Sequence, residues 1–417
     1  MFFVYRLLIN LVFILSPLIL IFRILKKKEN FFRFKEKYCF FSKTRKSGKL
    51  IWFHGASVGE IQSVMPLIQK FEKDNNIKQI LLTSNTLSSS KIIEKISFKK
   101  VTHQFFPIDT NFLTKKFLNY WKPEAAFFID SEIWPNMIRN IKKIKIPMGL
   151  INGRITKKTF NRWKKFPQLA KNNFGRFDLC LAGSIESKKF LEKLGAHNVN
   201  YFGNLKFSQI ENEKILLNKN IKNFISKKIV WCASSTHDNE EKICGHIHKK
   251  LKNKYKNLLT IIIPRHIHRI ESIKKDLIKL NLKIHLDEPK TKIKYNTDIY
   301  LVNSYGKTKS FYSICKNVFL GGSLINHGGQ NPLEPARYGC NILHGPHVDN
   351  FKEIYEFLEN INISKKIINY NQMKNYLEKI LSRKKKAKNN QAKLKLMGKK
   401  ILSLTYRNVN SLIYNDI

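Results

Sequence analysis

The chain has 417 residues, enough for two domains, and 43% of them are hydrophobic, so disorder is not expected. A formal charge of +47 favours an anionic partner: nucleic acid, an anionic membrane surface or an acidic substrate. The lysines are scattered, and no zinc-finger, basic-zipper or RNA-binding signature accompanies them. We therefore predict no nucleic-acid binding, and attribute the charge to compositional drift together with contact with anionic lipids. The 6 cysteines form no C-x-x-C pair, which favours reduced thiols in the cytoplasm.

The N-terminal segment is apolar. Residues 7–22, LLINLVFILSPLILIF, contain only Asn10 and Ser16 as polar residues, and the basic run RILKKK follows. With residues 2–5, the segment either crosses a membrane or lies shallowly in it with Pro17 as a kink. The positive charge that follows places the body of the protein on the cytoplasmic side. The next stretch, FFRFKEKYCFFSKTRK, mixes aromatic and basic residues as membrane interfaces do; the alternative is a buried helix followed by a solvated loop.

Short apolar strands alternate with helices from residue 49 onward, which predicts parallel, doubly wound sheets. The strands of the first half are KLIWFHG, IKQILLTSNT, AAFFID, IPMGLING, FDLCLAGS and NVNYFGNLKF. The pattern restarts after a polar stretch at about 210–227, with KIVWCASST, NLLTIIIPRH, KIHLDE, DIYLVNS and NVFLGGS. We predict two α/β domains with a ligand cleft lined by strand ends, and a basic helix over the last 35 residues.

The stretch IWFHGASVGE (51–60) contains the first candidate catalytic residue. Ser57 and Glu60 form a capping box before an apolar helix, an interpretation that needs no function. The alternative is a catalytic base, because Glu60 follows the carboxyl end of the first strand and two glycines allow a ligand to approach closely. A helix N-terminus lowers the pKa of a carboxylate, so a strongly raised pKa is expected only if bound substrate excludes water.

A glycine-rich stretch, FLGGSLINHGGQNPLEPARYG (319–339), is the second candidate. Glycines bring backbone N–H groups and a helix N-terminus to an anion, which suits a phosphate. Glu334 is placed to accept hydrogen bonds from vicinal ribose hydroxyls. The alternative is a tight turn followed by a helix that begins with Glu.

Two further strand ends carry candidate phosphate contacts. Residues 234–236, Ser-Ser-Thr, either hold a phosphate or cap a helix, and the sequence favours neither. Arg265 in IIIPRH is a fixed cation for a carboxylate or phosphate. His266 and His268 are expected to be surface histidines, because no third metal ligand is near.

Two motifs of the first half carry charged residues. Lys206 in GNLKF lies just before the domain boundary and is expected to face the cleft. Asp130 and Glu132 in IDSEIWPN are either catalytic or a helix cap before Trp134.

Together these stretches resemble the transferases of 3-deoxy-D-manno-octulosonic acid (Kdo), which move Kdo from CMP-Kdo to lipid A precursors in lipopolysaccharide synthesis. The resemblance covers nearly the whole chain, from the N-terminal segment to past Phe351. The motifs that carry it, in order, are HGASVGE, SEIWPN, INGR, GNLKF, ASSTHDNEE, PRH, GGS, GGQNPLEPA and GPHVDNFKEI.

The resemblance implies that Glu60 is the general base and that Asp130 and Lys206 support the transition state. Contacts with the CMP of the donor are implied for Pro264, Arg265, Tyr305, Gly306, Lys307, Asn331, Pro332, Leu333 and Glu334. The chain departs from the family where Asp130 replaces a usual Glu, where Gln330 replaces a usual His, and where NSYGKT replaces an acidic turn.

The family's GT-B fold implies two Rossmann-like domains with parallel sheets facing a central cleft, plus an N-terminal membrane-anchor helix. The expected bounds are 1–25 for the anchor, 26–215 for the acceptor domain and 216–417 for the CMP-Kdo donor domain. The last helix is expected to pack back on the N-terminal domain.

The implied function is transfer of Kdo to the lipid A precursor lipid IVA on the cytoplasmic side of the inner membrane. No cofactor or metal is expected, because there is no Asp-x-Asp signature and fixed cations and helix N-termini can stabilise the leaving phosphate. One alternative is another GT-B enzyme with a UDP-sugar donor and a lipid acceptor. Another, a non-enzymatic basic membrane-binding protein, leaves the ordered strand-end motifs unexplained.

Overall fold

A computed structural model describes residues 2–96, 98–209, 217–288, 291–382 and 390–414 of the chain. Contacts between residues divide it into two compact units, one of residues 1–210 and 395–417 and the other of residues 211–394. The predicted domain boundary at 215/216 lies outside the described residues.

The first unit is a parallel sheet with helices between successive strands, and it begins with a long apolar helix. Its strand order, β3-β2-β1-β4-β5-β6-β7, is that of a doubly wound fold. Its elements are α1 (Phe2–Leu25), β1 (Lys49–His54), α2 (Val58–Glu72), β2 (Ile77–Ser84), α3 (Leu87–Glu94), β3 (Val101–Phe105), α4 (Asn111–Trp121), β4 (Ala125–Ile129), α5 (Pro135–Lys143), β5 (Met148–Gly153), α6 (Lys157–Lys164), α7 (Pro167–Phe174), β6 (Leu179–Ala182), α8 (Ile185–Lys193) and β7 (Val199–Asn200).

The second unit repeats this design, with the strand order β10-β11-β9-β8-β12-β13-β14 and parallel pairing throughout. Its elements are α9 (Lys219–Ser226), β8 (Ile229–Thr236), α10 (Glu240–Lys252), β9 (Leu258–Pro264), α11 (Ile270–Ile278), β10 (Ile284–Leu286), β11 (Ile299–Leu301), α12 (Thr308–Tyr312), β12 (Asn317–Leu320), α13 (Leu333–Arg337), β13 (Asn341–His344), α14 (Lys352–Asn360), β14 (Ser364–Lys366) and α15 (Tyr370–Leu381). The last helix, α16 (Asn390–Tyr414), belongs to this unit up to residue 394 and to the first unit from residue 395.

Each sheet is buried on both faces, as parallel sheets are, which explains why the strands read as nearly continuous apolar runs. In the first unit, Trp52, Phe117 and Phe128 are central to the core between β1, β4 and α4. In the second, Trp231, Ile262 and Phe319 occupy the equivalent place. The predicted α/β class with two parallel sheets and an N-terminal apolar helix is confirmed.

Candidate active site

Glu60 lies at the third position of α2, directly after β1. The Ser57 hydroxyl caps the helix: it accepts the Glu60 N–H at 3.4 Å and donates to Glu60 Oε1 at 2.7 Å. The Ala56 N–H donates to Oε2 at 2.7 Å, so the carboxylate reaches back one residue further than in a usual capping box. The predicted cap is therefore present, and it leaves lone pairs on both carboxylate oxygens.

The pKa of Glu60 is raised to about 7, mainly because burial disfavours the charged form. The hydrogen bonds from Ser57 and Ala56 oppose the shift, while the nearby Glu132 and Asp130 carboxylates add to it. From the sequence, so large a rise in the pKa of Glu60 is expected only with substrate bound. The folded chain supplies the desolvation by itself, and a carboxylate with this pKa is well matched to proton transfer near neutral pH.

Asp130 lies at the end of β4 in a left-handed conformation, φ 61°, which Asp adopts more readily than most residues. Its N–H donates to the Ile151 carbonyl at 3.0 Å, and its carbonyl accepts the Arg154 N–H at 3.0 Å, so the turn is fixed to the end of β5. Burial raises the pKa of the Asp130 carboxyl, the Lys206 and Arg154 cations oppose that rise, and Glu132 adds to it. The structure thus places Lys206 and Arg154 beside Asp130.

Lys206 is positioned by two asparagines, Asn152 near the end of β5 and Asn204 in the loop after β7. The Asn152 side chain accepts the Leu205 N–H at 2.9 Å, which ties the GNLKF segment to the end of β5. Asn204 caps the short 3₁₀ turn Leu205–Ser208 by accepting the Lys206 N–H at 3.0 Å, and its amide donates to the Gly183 carbonyl at 3.3 Å. Glu60, Asp130 and Lys206, which the sequence predicted separately, therefore lie in one cluster at the carboxyl edge of the first sheet.

Glu132 is held by a buried chain of hydrogen bonds that the sequence did not reveal. The Trp52 indole N–H donates to Thr83 Oγ1 at 2.9 Å, Thr83 Oγ1 lies 2.9 Å from His54 Nδ1, and His54 Nε2 lies 3.2 Å from Glu132 Oε2. Burial lowers the pKa of His54, so the imidazole is neutral near pH 7. With its proton on Nε2, His54 donates to Glu132 and accepts from Thr83, and the Trp134 indole N–H adds a second donor to Glu132 at 2.8 Å.

In the second unit, Pro264 ends β9 in a buried position and Arg265 follows it, exposed to solvent. The Arg265 N–H donates to the Thr236 carbonyl at 2.9 Å, which fixes the turn to the end of β8. Imidazoles collect at the same edge of the sheet: the His237 ring lies 4.1 Å from that of His327 and 5.6 Å from that of His266, between ring centres. The pKa of His237 is lowered to about 4, by burial and then by its positive neighbours, which include Arg265. Such a cluster suits an anionic ligand.

The turn at residues 305–307 has the expected glycine geometry but a tethered lysine. Gly306 adopts φ 85°, which favours glycine, and Tyr305 is exposed. The Lys307 ammonium donates to Asp287 Oδ2 at 2.7 Å, and the Tyr300 hydroxyl donates to Asp287 Oδ1 at 2.6 Å. Asp287 is buried, so the lysine that replaces an acid in this turn neutralises an internal carboxylate. This pairing leaves the backbone of the turn as the expected ligand contact.

Residues 331–334 form the start of α13. The Asn331 side chain accepts the Leu333 N–H at 3.1 Å, while Pro332 and Leu333 are buried and Glu334 is partly exposed in the first helical turn. Glu334 is near enough to Tyr312 to help raise the pKa of that buried phenol, after the larger effect of burial. These four predicted residues are therefore brought together.

The glycine-rich turn after β12 binds an anion, but an internal one. Glu240 is fully buried, and its carboxylate accepts the N–H groups of His237 and Gly322 on Oε2 and of Ser323 and Leu324 on Oε1, at 2.7–3.2 Å. The Gly322 and Ser323 N–H groups of the glycine-rich stretch are therefore not available to a phosphate, because a carboxylate of the same chain already binds them, and the Gly321 N–H donates to the Ser234 carbonyl. For this part of the stretch the prediction is wrong.

The three polar residues at the end of β8 are also not an open phosphate site. Ser234 is fully buried, and its hydroxyl is 2.6 Å from that of Tyr312. Thr236 is buried as well, and Ser235 adopts a left-handed φ of 56°. Of the two interpretations left open, phosphate binding is not supported for Ser234.

His266 and His268 are exposed, as predicted. Among the described residues, no group of three or more His, Cys, Asp or Glu side chains is placed to hold a metal ion. Arg154, His54 and His237 have no role that is predicted from the sequence. All three follow or end a predicted strand, and that position is the signal by which they could be found.

The chain is similar in sequence to known transferases. The family described as 3-deoxy-D-manno-octulosonic-acid transferase (kdotransferase) matches residues 32–209. A 3-deoxy-D-manno-octulosonic acid transferase of Rickettsia bellii is 33% identical over 413 residues, which cover 97% of this chain and 96% of that protein. The transferase of that name from Haemophilus influenzae is 30% identical over 312 residues, 74% of this chain and 73% of that protein.

A solved structure shows the same fold. The UDP-GlcNAc 2-epimerase from Neisseria meningitidis, bound to UDP-GlcNAc, has a TM-score of 0.57 and 14% sequence identity over 86% of this chain and 100% of that chain. That similarity concerns the GT-B-like architecture, whereas the sequence relatives identify the family. The chain therefore belongs to the 3-deoxy-D-manno-octulosonic acid transferase family, the glycosyltransferases of lipopolysaccharide biosynthesis.

Proposed function

We propose that this protein transfers Kdo from CMP-Kdo to the lipid A precursor lipid IVA and releases CMP. The observation that carries the proposal is Glu60, a partly buried carboxylate with a pKa near 7 that lies beside Asp130 and Lys206 at the carboxyl edge of a parallel sheet. The family gives the class of reaction, and the residues supply a mechanism for it.

In the proposed reaction Glu60 removes the proton of the acceptor hydroxyl, while the hydroxyl oxygen forms a bond to the anomeric carbon of Kdo. The bond from that carbon to the CMP phosphate breaks, and the phosphate leaves with the electron pair. Lys206 and helix N-termini stabilise the charge that develops on the phosphate, and no metal ion or cofactor is proposed. The Asp130 carboxylate holds the Lys206 ammonium in place.

The remaining residues are proposed to bind the nucleotide. Glu334 accepts hydrogen bonds from the ribose hydroxyls, and the segments 264–265, 305–307 and 331–333 contact CMP, the middle one through its backbone at Gly306. The fixed cation of Arg265 and the imidazole groups around His237, which offer N–H donors, suit the donor's phosphate and carboxylate.

We place the protein at the inner membrane, with its catalytic units on the cytoplasmic side. The apolar helix α1 is, by length and composition, capable of crossing a membrane, and it is the one such helix among the described residues. The exposed lysines after it and the net charge of +47 favour anionic lipids, while nucleic acid is not proposed as a partner.

The deciding experiment is incubation of the purified protein with CMP-Kdo and tetra-acylated lipid IVA, followed by mass spectrometry of the lipid. A mass increase of one or more Kdo units is expected, together with release of CMP. Inhibition by CMP but not by UDP would separate this reaction from that of a UDP-sugar enzyme. A lipid that stays unmodified while the protein binds CMP would contradict the proposal.

The pH dependence of transfer should follow the protonation of Glu60. Because a base must be deprotonated, kcat/KM should fall about tenfold per pH unit below a pKa of about 7 and level off above it. Initial rates between pH 5.5 and 8.5 test this, with CMP affinity measured by calorimetry over the same range as the control. A flat profile would remove Glu60 from the role of base.

Replacing Arg265 with glutamine should weaken CMP binding by roughly 10–100-fold, which corresponds to the loss of one charge-assisted hydrogen bond. The side chain is exposed and its backbone bond to Thr236 is kept, so the melting temperature should not change. Lys275→Gln, an equal loss of charge at an exposed position of α11, is the matched control for a general effect of charge. Equal CMP affinity in the two variants would exclude Arg265 from the site.

A further inference from the structure

Helix α1 has two faces that the uniformly apolar sequence conceals. Its buried or partly buried positions recur every three or four residues along its whole length, at 2, 5, 6, 9, 13, 16, 20, 23 and 24. The rest of the helix surface carries large exposed apolar side chains: Phe3, Val4, Leu7, Leu8, Leu11, Val12, Ile14, Leu15, Leu18, Ile19, Ile21, Phe22 and Leu25. One stripe of the helix is therefore docked on the first unit, and the other is exposed.

The N-terminal end of α1 is fixed by polar contacts with loops and helices of that unit. The Tyr5 hydroxyl donates to Asp109 Oδ2 at 2.6 Å. Arg6 donates to Asn136 Oδ1 at 3.0 Å and to Asn111 Oδ1 at 2.8 Å. Asp109 is fully buried and also accepts two backbone N–H groups at the start of α5. Undocking this end would take the Tyr5 donor from a buried carboxylate.

The middle and the C-terminal end are fixed in the same way. The Ser16 and Tyr38 hydroxyls lie 2.7 Å apart, and the ring of Phe13 packs edge-on against that of Tyr38. Arg23 donates to Glu29 Oε2 at 3.1 Å, and the side chain of Glu29 is fully buried. Both ends of the helix are thus attached to the same folded unit.

These contacts are incompatible with a helix that crosses the bilayer. The 24 residues of α1 extend about 36 Å, and the hydrocarbon core of a bilayer is about 30 Å thick. If α1 spanned the membrane, Asp109 and Glu29 would lie on opposite sides of it, or one end of the helix would have to leave its buried polar partners. Neither arrangement keeps the observed contacts.

We infer that α1 lies in the plane of the membrane surface, with one stripe docked on the first unit and the other buried in the outer hydrocarbon of an anionic leaflet. Exposed aromatic rings flank both ends: Phe112 follows Asn111, which binds Arg6, and Phe31 and Phe32 follow the C-terminal end. Lys26, Lys27 and Lys28 are exposed beside that end, where they meet lipid phosphates. Aromatic rings and lysines on one side of a folded unit are what an interface-bound surface presents.

This inference rests on the proposed membrane association but not on the reaction. It can be tested by attaching a spin label to single cysteines at Leu7, Leu11, Ile14, Leu18 and Phe22 of the full chain, and measuring the depth of each label in phosphatidylethanolamine–phosphatidylglycerol vesicles. All six native cysteines are buried, so the labelled wild type gives the background. We expect equal, shallow depths of roughly 5–10 Å at all five positions.

Leu20→Cys is the matched control, because Leu20 lies on the docked stripe and should be shielded from oxygen in the lipid. Depths that peak near the bilayer centre at Ile14 and fall toward Leu7 and Phe22, or a label at residue 20 that is exposed to lipid, would overturn the inference and leave membrane association standing. Failure of the wild type to bind the vesicles would overturn both. Neither result would bear on transfer of Kdo to detergent-dispersed acceptor.

Discussion

Replacing Glu60 with glutamine is expected to reduce Kdo transfer by about 10²–10⁴-fold, the usual contribution of a general base. The amide has the same shape as the carboxylate, and its oxygen can still accept the Ala56 N–H, but it cannot take a proton from the acceptor hydroxyl. Because burial disfavours the charge of Glu60, the neutral side chain should not lower the melting temperature at pH 7. Initial rates and thermal melting on one preparation test these two statements, and CMP calorimetry on the same preparation tests whether the donor site is intact.

Glu186→Gln is the matched control for this variant. Glu186 also lies in the first turn of a helix that follows a strand, after a serine cap, but its side chain is exposed. It should keep wild-type turnover. If Glu60→Gln also keeps near-normal turnover, Glu60 is only a helix cap and the base lies elsewhere; if it melts early, the loss of activity says nothing about proton transfer, and Glu60→Asp must decide by its pH profile.

The fold could be predicted from the sequence because the strands of parallel sheets are runs of apolar residues, and segments with helical periodicity separate them. The same logic predicted that Glu60 and Asp130 lie near each other, since the carboxyl ends of parallel strands meet at one edge of a sheet. The sequence could not show which polar groups form hydrogen bonds with one another across the fold. His54 and Glu132 are 78 residues apart, and neither residue's neighbours in the chain indicate the other.

The same limit explains one wrong prediction and one interpretation that the sequence left open. The GGS turn was expected to bind phosphate, and a turn that presents several N–H groups is indeed suited to an anion. The anion that the turn binds is the Glu240 carboxylate, which lies 82 residues before Gly322 in the chain, at the start of a helix. Ser234 was a plausible ligand for the same reason, until Tyr312 proved to be its partner.

The N-terminal helix was likewise treated as an anchor separate from the catalytic unit. Its docked stripe includes Tyr5, Arg6 and Ser16, whose polar groups are unremarkable within a run of apolar letters. Their partners lie 22 to 130 residues away, so only the folded chain shows that the helix is part of the first unit.

Replacing Glu240 with glutamine is expected to destabilise the second unit strongly. Four backbone N–H groups converge on the carboxylate, two on each oxygen, and this geometry requires an ionised, acceptor-only group. Burial raises the pKa of Glu240, and the four donors oppose that shift. An amide would turn its NH₂ toward two of the donors and leave them unsatisfied in a buried site, at about 1–3 kcal/mol each.

The pair of lost bonds corresponds to a fall in melting temperature of roughly 5–20 °C for a unit of this size. Amide hydrogen exchange should also accelerate at Gly322, Ser323 and Leu324, and CMP binding should weaken because the turn that precedes Asn331 is no longer held. Glu271→Gln, the same change at an exposed position in the first turn of α11, should alter neither quantity. Unchanged melting together with unchanged exchange at those three amides would mean that the carboxylate does not hold the turn, and the Gly322 and Ser323 N–H groups would again be open to a phosphate.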